Sequence, residues 1–252
     1  MKKFVLIGDG RIAKYHRKAI EHIEGEIIIV IDPKNGDEFP RNIFINKYRL
    51  YFDSADYFVI CSPSNFHYSQ IKFILDNISS WNPFQIICEK PAFLPWEPII
   101  NSDLINIVLQ LRYLPSLPKK AEKVVAHFVR DEEYFKHWQG DPRKSGGLFF
   151  HLYIHFIDLA IHLGADFEGS ISGSGKQKRF IETGPLGLDI IDLENIDNQL
   201  CYNFLYEAVL EGKGIKPKDI FYLMWTLARN SELFGYSRNS IGKTIKIGRE
   251  LL

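Results

Sequence analysis

Cysteine is scarce in this 252-residue chain: Cys61, Cys88 and Cys201 are the only three, and none forms a CxxC pair. That excludes a disulfide framework and a cysteine-based structural zinc site, and it fits a reducing, cytoplasmic compartment. An excess of either charge is also missing. The 31 Lys and Arg balance the 31 Asp and Glu, so no long-range field holds the protein on nucleic acid or an anionic bilayer. Long hydrophobic runs are absent near the N-terminus, where Asp9 cuts MKKFVLIGDG after a few residues. A secretory core takes ~7–15 apolar residues and a spanning helix ~20, so neither a signal peptide nor a membrane anchor is expected. No internal repeat or low-complexity tract occurs.

What is present is core material. Hydrophobic residues make up 46 % of the chain and aromatics 14 %, which is ample for a packed interior. The length allows one large domain, or one normal and one reduced. KFVLIG (3–8), EIIIVID (26–32), YFVICSP (57–63) and FQIICEKP (84–91) are short apolar runs of the kind that form strands buried on both faces. Helical spacing separates them over 11–23 and 68–78. Alternating strands and helices predict a doubly wound parallel sheet, a Rossmann domain over residues 1–92. Beyond Pro91 the pattern changes. INIVLQLRY (105–113) and EKVVAHFVRD (122–131) read as longer strands of a second, more open sheet. A largely buried helix then runs from the pair Gly146-Gly147 to Gly164, interrupted by histidines and an aspartate, and helices over 202–212 and 218–234 close the chain. The second domain, 93–252, is thus a reduced α+β unit with an open, mostly antiparallel sheet, and its closing helices can pack back on the first.

The motif Gly8-Asp9-Gly10-Arg11-Ile12-Ala13 is a GxGxxA between a predicted strand and a predicted helix. Gly8 permits a tight turn, Gly10 lets the backbone approach a pyrophosphate, and Ala13 allows close helix–strand packing. The helix start offers N–H groups and a positive dipole end to phosphate. Asp32 ends the second strand at about the offset where a carboxylate accepts from the adenosine ribose. Together they point to NAD rather than NADP, because a 2′-phosphate beside Asp32 would be repelled; Lys34, two residues on, weakens that preference. An ordinary strand-to-helix turn with an exposed aspartate accounts for the same residues without a ligand. Ser62, Pro63, Asn65 and His67 follow the third strand, where ligands of such sheets bind. Glu89 and Lys90 end the fourth. An ammonium placed there is desolvated yet beside a carboxylate, and can exchange a proton with a substrate hydroxyl; a surface ion pair is the simpler alternative. His151, His155 and Asp158 fall at i, i+4 and i+7, on one face of a helix. That face suits a neutral imidazole acting on a hydroxyl, with Asp158 orienting it or helping to bind substrate, or a divalent metal that would need further ligands; satisfied core histidines are the structural alternative.

Taken in order, GDGRIAKYH, SPSNFH, CEKP and GGLFFHLYIHFID resemble the motifs of the glucose-fructose oxidoreductase/inositol dehydrogenase/rhizopine-catabolism (Gfo/Idh/MocA) family, over Met1 to about Gly164. VLQLRYLPS (108–116) and WQGDPRKSGG (138–147) are similar, more narrowly, to its dehydrogenases that act at C3 of UDP-N-acetyl-2-amino-2-deoxyglucuronate in lipopolysaccharide sugar synthesis. The resemblance implies a Rossmann domain followed by an α/β domain that carries the sugar site and oligomer contacts, hence a homodimer or homotetramer. It implies NAD as cofactor, held by Gly8, Gly10, Arg11, Ile12, Ala13, Asp32, Ser62, Pro63, Asn65, His67, Glu89 and Lys90. Lys90 matches the lysine that contacts both nicotinamide and substrate, and His155 the histidine near the reacting hydroxyl; the two share removal of its proton. Arg112, Tyr113, Arg143 and Lys144 would face an acidic sugar nucleotide, with His151, His155 and Asp158 completing the substrate site and no metal. The family's cis peptide falls before Pro91. Two departures stand out. His151 replaces the aspartate common in the family and the asparagine frequent in the sugar-nucleotide branch. Only about forty residues separate Gly164 from the closing helices, so the second sheet is expected to be curtailed. Other readings of the same residues are a non-catalytic dinucleotide-binding protein, a reductase of another small carbonyl compound, and a metal-dependent enzyme using His151, His155 and Asp158.

Overall fold

The computed structural model describes residues 1–35, 42–78, 83–184, 190–234 and 244–252. In chain order the elements are β1 (Lys3–Ile7), α1 (Ala13–His22), β2 (Glu26–Ile31), α2 (Asn42–Ser54), β3 (Tyr57–Ile60), α3 (His67–Asn77), β4 (Gln85–Glu89), β5 (Ile105–Val108), β6 (Lys123–Val129), α4 (Pro142–Ser145), α5 (Ile154–Leu163), β7 (Asp166–Ser172), β8 (Lys178–Glu182), β9 (Ile190–Asp192), α6 (Asn198–Leu210), α7 (Phe221–Phe234) and β10 (Thr244–Ile247). They form two compact units: Met1–Tyr113 with Asn198–Asp219, and Leu114–Asp197 with Ile220–Leu252.

The first unit holds a five-stranded sheet in the order β2-β1-β3-β4-β5, parallel at every pairing. Its middle strands need no polar face, and Val5, Leu6, Phe58, Val59, Ile86 and Ile87 are fully buried. Strand β2 has the same apolar run but lies at the edge, so most of its residues are only half-buried. On one side α1 and α6 cover Phe4, Leu6, Tyr57, Val59 and Ile87 with Ala19, Ile20, Tyr202, Leu205 and Tyr206. Phe4 stacks on Tyr57, and Tyr15 on Tyr202, at centroid distances of 4.9 and 5.4 Å.

The apolar pattern of residues 105–113 predicts one strand of the second sheet, and here the structure differs. Ile105–Val108 pairs in parallel with β4, Ile86 opposite Ile105 and Glu89 opposite Val108, while Gln110–Tyr113 turns into a 3-10 helix. No helix lies in the β4–β5 connection, so the strand–helix alternation that marks a parallel crossover is lost at the point where this fifth strand enters. The first unit therefore continues past residue 92 to Tyr113, and it regains α6 from the far end of the chain.

The second unit has a five-stranded sheet in the order β10-β7-β6-β8-β9. Only β6 and β7 run parallel; the other pairs are antiparallel. One face is packed by α5, whose Phe156 meets Phe128 edge-on at 5.5 Å, and by Tyr153 against Phe128 and Phe167. The expected histidine-bearing helix is present in two parts. Phe149–Tyr153 is π-helical, and α5 follows in α geometry to its left-handed cap at Gly164. Pro142–Leu163 is long and apolar enough to cross a membrane on length and composition alone, but 78 % of its most apolar stretch is buried, the mark of a core helix.

Candidate active site

In a sheet of order 2-1-3-4-5, ligands bind beyond the carboxyl ends of the strands, where β1 and β3 diverge. Several of the candidate side chains, on the turns after β1, β3 and β4, lie at that edge. After β1, Gly8 takes φ +95°, and a Cβ on it would lie 2.8 Å from the Ser62 backbone nitrogen. Only glycine meets both demands. The turn is braced from two sides: Gly8 N–H donates to the Ile31 carbonyl at 2.8 Å, and the Cys61 thiol, buried and pushed well above its usual pKa by that burial and then by Glu89, donates to the Gly8 carbonyl at 3.0 Å. Gly10 is the opposite case. A Cβ there would meet no heavy atom within 4 Å, so packing within the protein does not require the side chain to be missing. This fits a pyrophosphate laid across the turn at the start of α1. Ala13, 1 % exposed, packs in the core beneath, as the motif requires; Arg11 is exposed and Ile12 half-buried at the helix entry.

Asp32 does more than its spacing suggests. Its two carboxylate oxygens accept from the backbone N–H of Asp9 at 2.7 Å and of Lys34 at 2.9 Å. The carboxylate thus fixes the glycine turn and the end of β2 together, with lone pairs left for a ribose hydroxyl. Arg17 pairs with Asp9 at 2.8 Å on the rim.

Behind β3, Ser62 donates to Gln70 at 2.6 Å. His67, 1 % exposed, sits with Nδ1 2.8 Å from the Pro91 carbonyl and Nε2 2.8 Å from the Ser62 carbonyl. Burial draws its pKa below the usual histidine value against the pull of both carbonyls. His67 is therefore a tie between the β3 loop and the segment after β4, with Pro63 and Asn65 in the short 3-10 turn beside it. The Lys90–Pro91 bond is cis.

Glu89 and Lys90 end β4. Glu89 is 5 % exposed and turns inward: Oε1 accepts from the Tyr202 hydroxyl and lies 3.2 Å from His16 Nε2. Burial alone would raise its pKa, but the bonds from His16 and Tyr202 and the nearby Lys90 bring it to about 2. Lys90 is half-buried; burial lowers its pKa and Glu89 opposes the change. Arg112 and Tyr113 lie on the 3-10 turn after β5.

The remaining candidates belong to the second unit. Arg143 and Lys144 are on α4, where Arg143 forks onto Asp141 at 3.2 and 3.3 Å, which engages the guanidinium in an exposed pair. His151 is in the π-helical turn, and its Nε2 lies 2.7 Å from the Tyr134 hydroxyl, with Trp138 edge-on at 5.1 Å. The i→i+5 bonding of that turn takes His151 out of the α register that would stack it on His155. His155 is half-buried and Asp158 is 1 % exposed on α5. Among the described residues no group of three or more His, Cys, Asp or Glu side chains is placed to hold a metal.

Four partners are not evident in the sequence: His16, Tyr202, Tyr134 and Trp138. His16 stands inside the glycine-motif helix, and Trp138 inside the WQGDPRKSGG stretch, so both have a local signal. Nothing local ties Tyr202 to Glu89 across 113 positions.

One stretch of the second unit resembles a family: residues 123–178 match the model of the oxidoreductase family, C-terminal alpha/beta domain, GFO_IDH_MocA_C. The whole fold is similar to the WlbA (WbpB) dehydrogenase from Thermus thermophilus in complex with NAD and UDP-GlcNAcA, at 24 % identity and TM-score 0.73, covering 90 % of this chain and 94 % of that one. A second complex of that dehydrogenase, with NAD and alpha-ketoglutarate, matches at 23 % identity and TM-score 0.72, covering 96 % and 99 %. The fold is also shared by the super-repressor mutant of Gal80p from Saccharomyces cerevisiae, at 12 % identity and TM-score 0.58, covering 100 % and 99 %.

Proposed function

We propose that this chain is an NAD-dependent dehydrogenase that oxidises a hydroxyl, at C3, of a UDP-linked N-acetylated sugar or sugar acid. The observation that carries the reading is the glycine turn: braced by Gly8, open above Gly10 and tied to Asp32, at the same carboxyl edge of the parallel sheet as the strand end that bears Lys90. NAD, when bound, supplies the hydride acceptor. Gly10 and the first N–H groups of α1 would hold its pyrophosphate, and Asp32 its ribose. Lys90 as its neutral amine, a form favoured by burial and opposed by Glu89, and His155 as its neutral imidazole would share removal of the hydroxyl proton as its carbon loses hydride. Arg112, Tyr113, Arg143, Lys144, His151 and Asp158 would bind the sugar nucleotide. The setting that suits this activity is the making of lipopolysaccharide sugars in the cytoplasm by a homodimer or homotetramer. The likeness to a dehydrogenase described with NAD and UDP-GlcNAcA supports the substrate class.

The test is incubation of the purified protein with NAD and a panel of UDP-sugars, followed by NADH fluorescence and mass spectrometry of the sugar. NADH and a product two mass units lighter are expected with a UDP-N-acetylated sugar acid, unaffected by a chelator. NAD binding with no turnover across the panel would instead support a non-catalytic dinucleotide-binding protein. That second reading is favoured by His151, which departs from the aspartate or asparagine that the motif resemblance implies there and is engaged with Tyr134.

Cofactor choice gives a separate prediction. Replacing Asp32 by Ser removes the charge that repels a 2′-phosphate, but also one carboxylate oxygen from the N–H groups of Asp9 and Lys34. The expected result by calorimetry is NAD affinity weakened about tenfold, the worth of roughly 1.4 kcal/mol, with the NAD to NADP preference narrowed. An unchanged preference would remove Asp32 from cofactor selection.

A further inference from the structure

Arg17, Arg49, Arg143 and Arg249 each meet a carboxylate, at 2.8, 3.0, 3.2 and 3.2 Å. Arg130 and Arg179, both half-buried in the second unit, form no ion pair among the described residues. A guanidinium that has lost part of its water without gaining a counter-charge is held at a cost. Two side by side cost more.

The sheet register brings them to one patch. β6 and β8 pair antiparallel with Ala126 opposite Arg179, so Arg179 leaves the sheet on the face of Ala126 and Phe128. This is the face that α5 packs, Phe156 against Phe128. Just past the end of β6, Arg130 reaches back over the Phe128 ring, its guanidinium carbon 5.3 Å from the centroid. Its Nη1 donates to the side-chain oxygen of Gln177, two residues before Arg179, at 2.9 Å. The like charge is felt: burial lowers the Arg179 pKa, Glu194 opposes that, Arg130 lowers it further and Asp192 opposes again. Both carboxylates belong to exposed residues.

Arg130 is also held still. Its Nη1 donates a second time, to the Val129 carbonyl at 2.7 Å, and the Tyr134 ring lies against the guanidinium at 5.1 Å. Tyr134 is fixed in turn by His151, whose Nε2 lies 2.7 Å from its hydroxyl. Neither Arg130 bond uses Nε or Nη2, and Arg179 Nε is buried with no hydrogen-bond partner among the described residues. Donors on both guanidiniums are thus left over by the fold, one of them where water does not reach. A single carboxylate offers two oxygens, which one guanidinium fork fills. Two guanidiniums from different strands match an anion whose charge is spread over two groups.

We propose that Arg130 and Arg179 form an anion subsite of the second unit that takes the diphosphate of a nucleotide ligand, with Tyr134 and Gln177 holding Arg130 in place. The inference deepens the sugar-nucleotide reading and rests on it for the identity of the ligand. Neither arginine is among the residues assigned above to the sugar nucleotide.

The test titrates the intact protein with UDP by calorimetry, with excess NAD present to occupy the glycine turn. Arg130→Gln and Arg179→Gln are each expected to weaken UDP binding by about 10- to 100-fold, the worth of a charged hydrogen bond. Arg179→Lys keeps the charge but loses the planar fork, and should recover only part of the affinity. Lys178→Gln removes an exposed charge from the opposite face of β8, and should bind UDP as the wild type does. Thermal melts without ligand report on folding. A pair that serves structure alone would lower the melting temperature of the variants and leave the UDP affinity of the folded protein unchanged, which overturns the inference. So does a wild type that does not bind UDP, or a Lys178→Gln protein weakened as much as Arg179→Gln. A loss confined to UDP-sugars whose sugar is an acid assigns the pair to a carboxylate and overturns it too. Weakened UDP binding in variants of a protein that turns over no sugar nucleotide leaves the subsite standing and overturns the dehydrogenase reading; turnover of a UDP-sugar with KM unmoved in both variants does the reverse.

Discussion

Replacing Lys90 by Met is expected to lower turnover by about 10²–10⁴-fold, the usual worth of a positioned acid or base, and to leave NAD binding within a few-fold of the wild type. Lys90 and the glycine turn stand on different strands. Lys90 is at the end of β4, two strands from β1 in the sheet order β2-β1-β3-β4-β5, whereas the turn that suits the diphosphate follows β1 and is braced by Ile31, Asp32 and Cys61. Loss of the ammonium removes none of those braces. Met fills a similar volume, so the half-buried stem keeps its packing. Lys90→Arg makes the complementary test. It keeps a charge beside Glu89 but cannot release a proton near neutral pH, so it should be nearly as inactive as Lys90→Met. Single-turnover NADH formation, alongside calorimetric NAD binding, checks both. Full activity in Lys90→Arg would show that the charge alone matters, and full activity in Lys90→Met would remove the residue from the chemistry.

The second large effect divides the two glycines of the turn. Gly8→Ala should destabilise the protein itself, by about 1–3 kcal/mol for the left-handed backbone and a similar amount for overpacking, because φ is +95° and the new methyl would lie 2.8–3.0 Å from backbone atoms of Cys61 and Ser62. Gly10→Ala should fold as the wild type does, since its methyl meets no protein atom within 4 Å, and yet fail to bind NAD. Each hydrogen bond to a charged group that the methyl prevents is worth ~1.5–3 kcal/mol, so a loss of roughly 10- to 100-fold per bond is expected. Denaturant melts and calorimetry give the two numbers for each variant. Equal NAD affinity in Gly10→Ala and wild type would mean that the open space above Gly10 receives no phosphate.

How far the sequence reaches is seen by comparing these sites. The glycine turn is legible because every constraint on it is local: a buried strand, two glycines at fixed spacing, an alanine, and an aspartate after the next strand. The succession of the first four strands follows from the same alternation. The fifth strand is not legible, because no helix precedes it and the apolar pattern of VLQLRY runs on past Val108, where the chain leaves the sheet. The histidine-bearing helix lies where its apolar pattern puts it, but its π-helical turn is hidden, since 3.6-residue periodicity is all that side-chain pattern records. Least legible is the setting of Glu89. Its neighbour in sequence is Lys90, and an ion pair between them is the simple expectation; the tyrosines around it lie on a helix whose apolar face says only that it is buried somewhere.

Because α6 completes the interior beneath β1, β3 and β4, the first unit is encoded by a discontinuous stretch of the gene. A polypeptide ending at Tyr113 would carry every glycine and carboxylate of the motif, but expose Phe4, Leu6 and Val59 where Tyr202, Leu205 and Val209 belong. Fragment complementation, with the stretch from Asn198 to Asp219 supplied on a second polypeptide, is the form in which that half should be recoverable. For evolution the same wiring means that the two halves cannot be exchanged by a single recombination event, since any crossover between them leaves one half without its last helix.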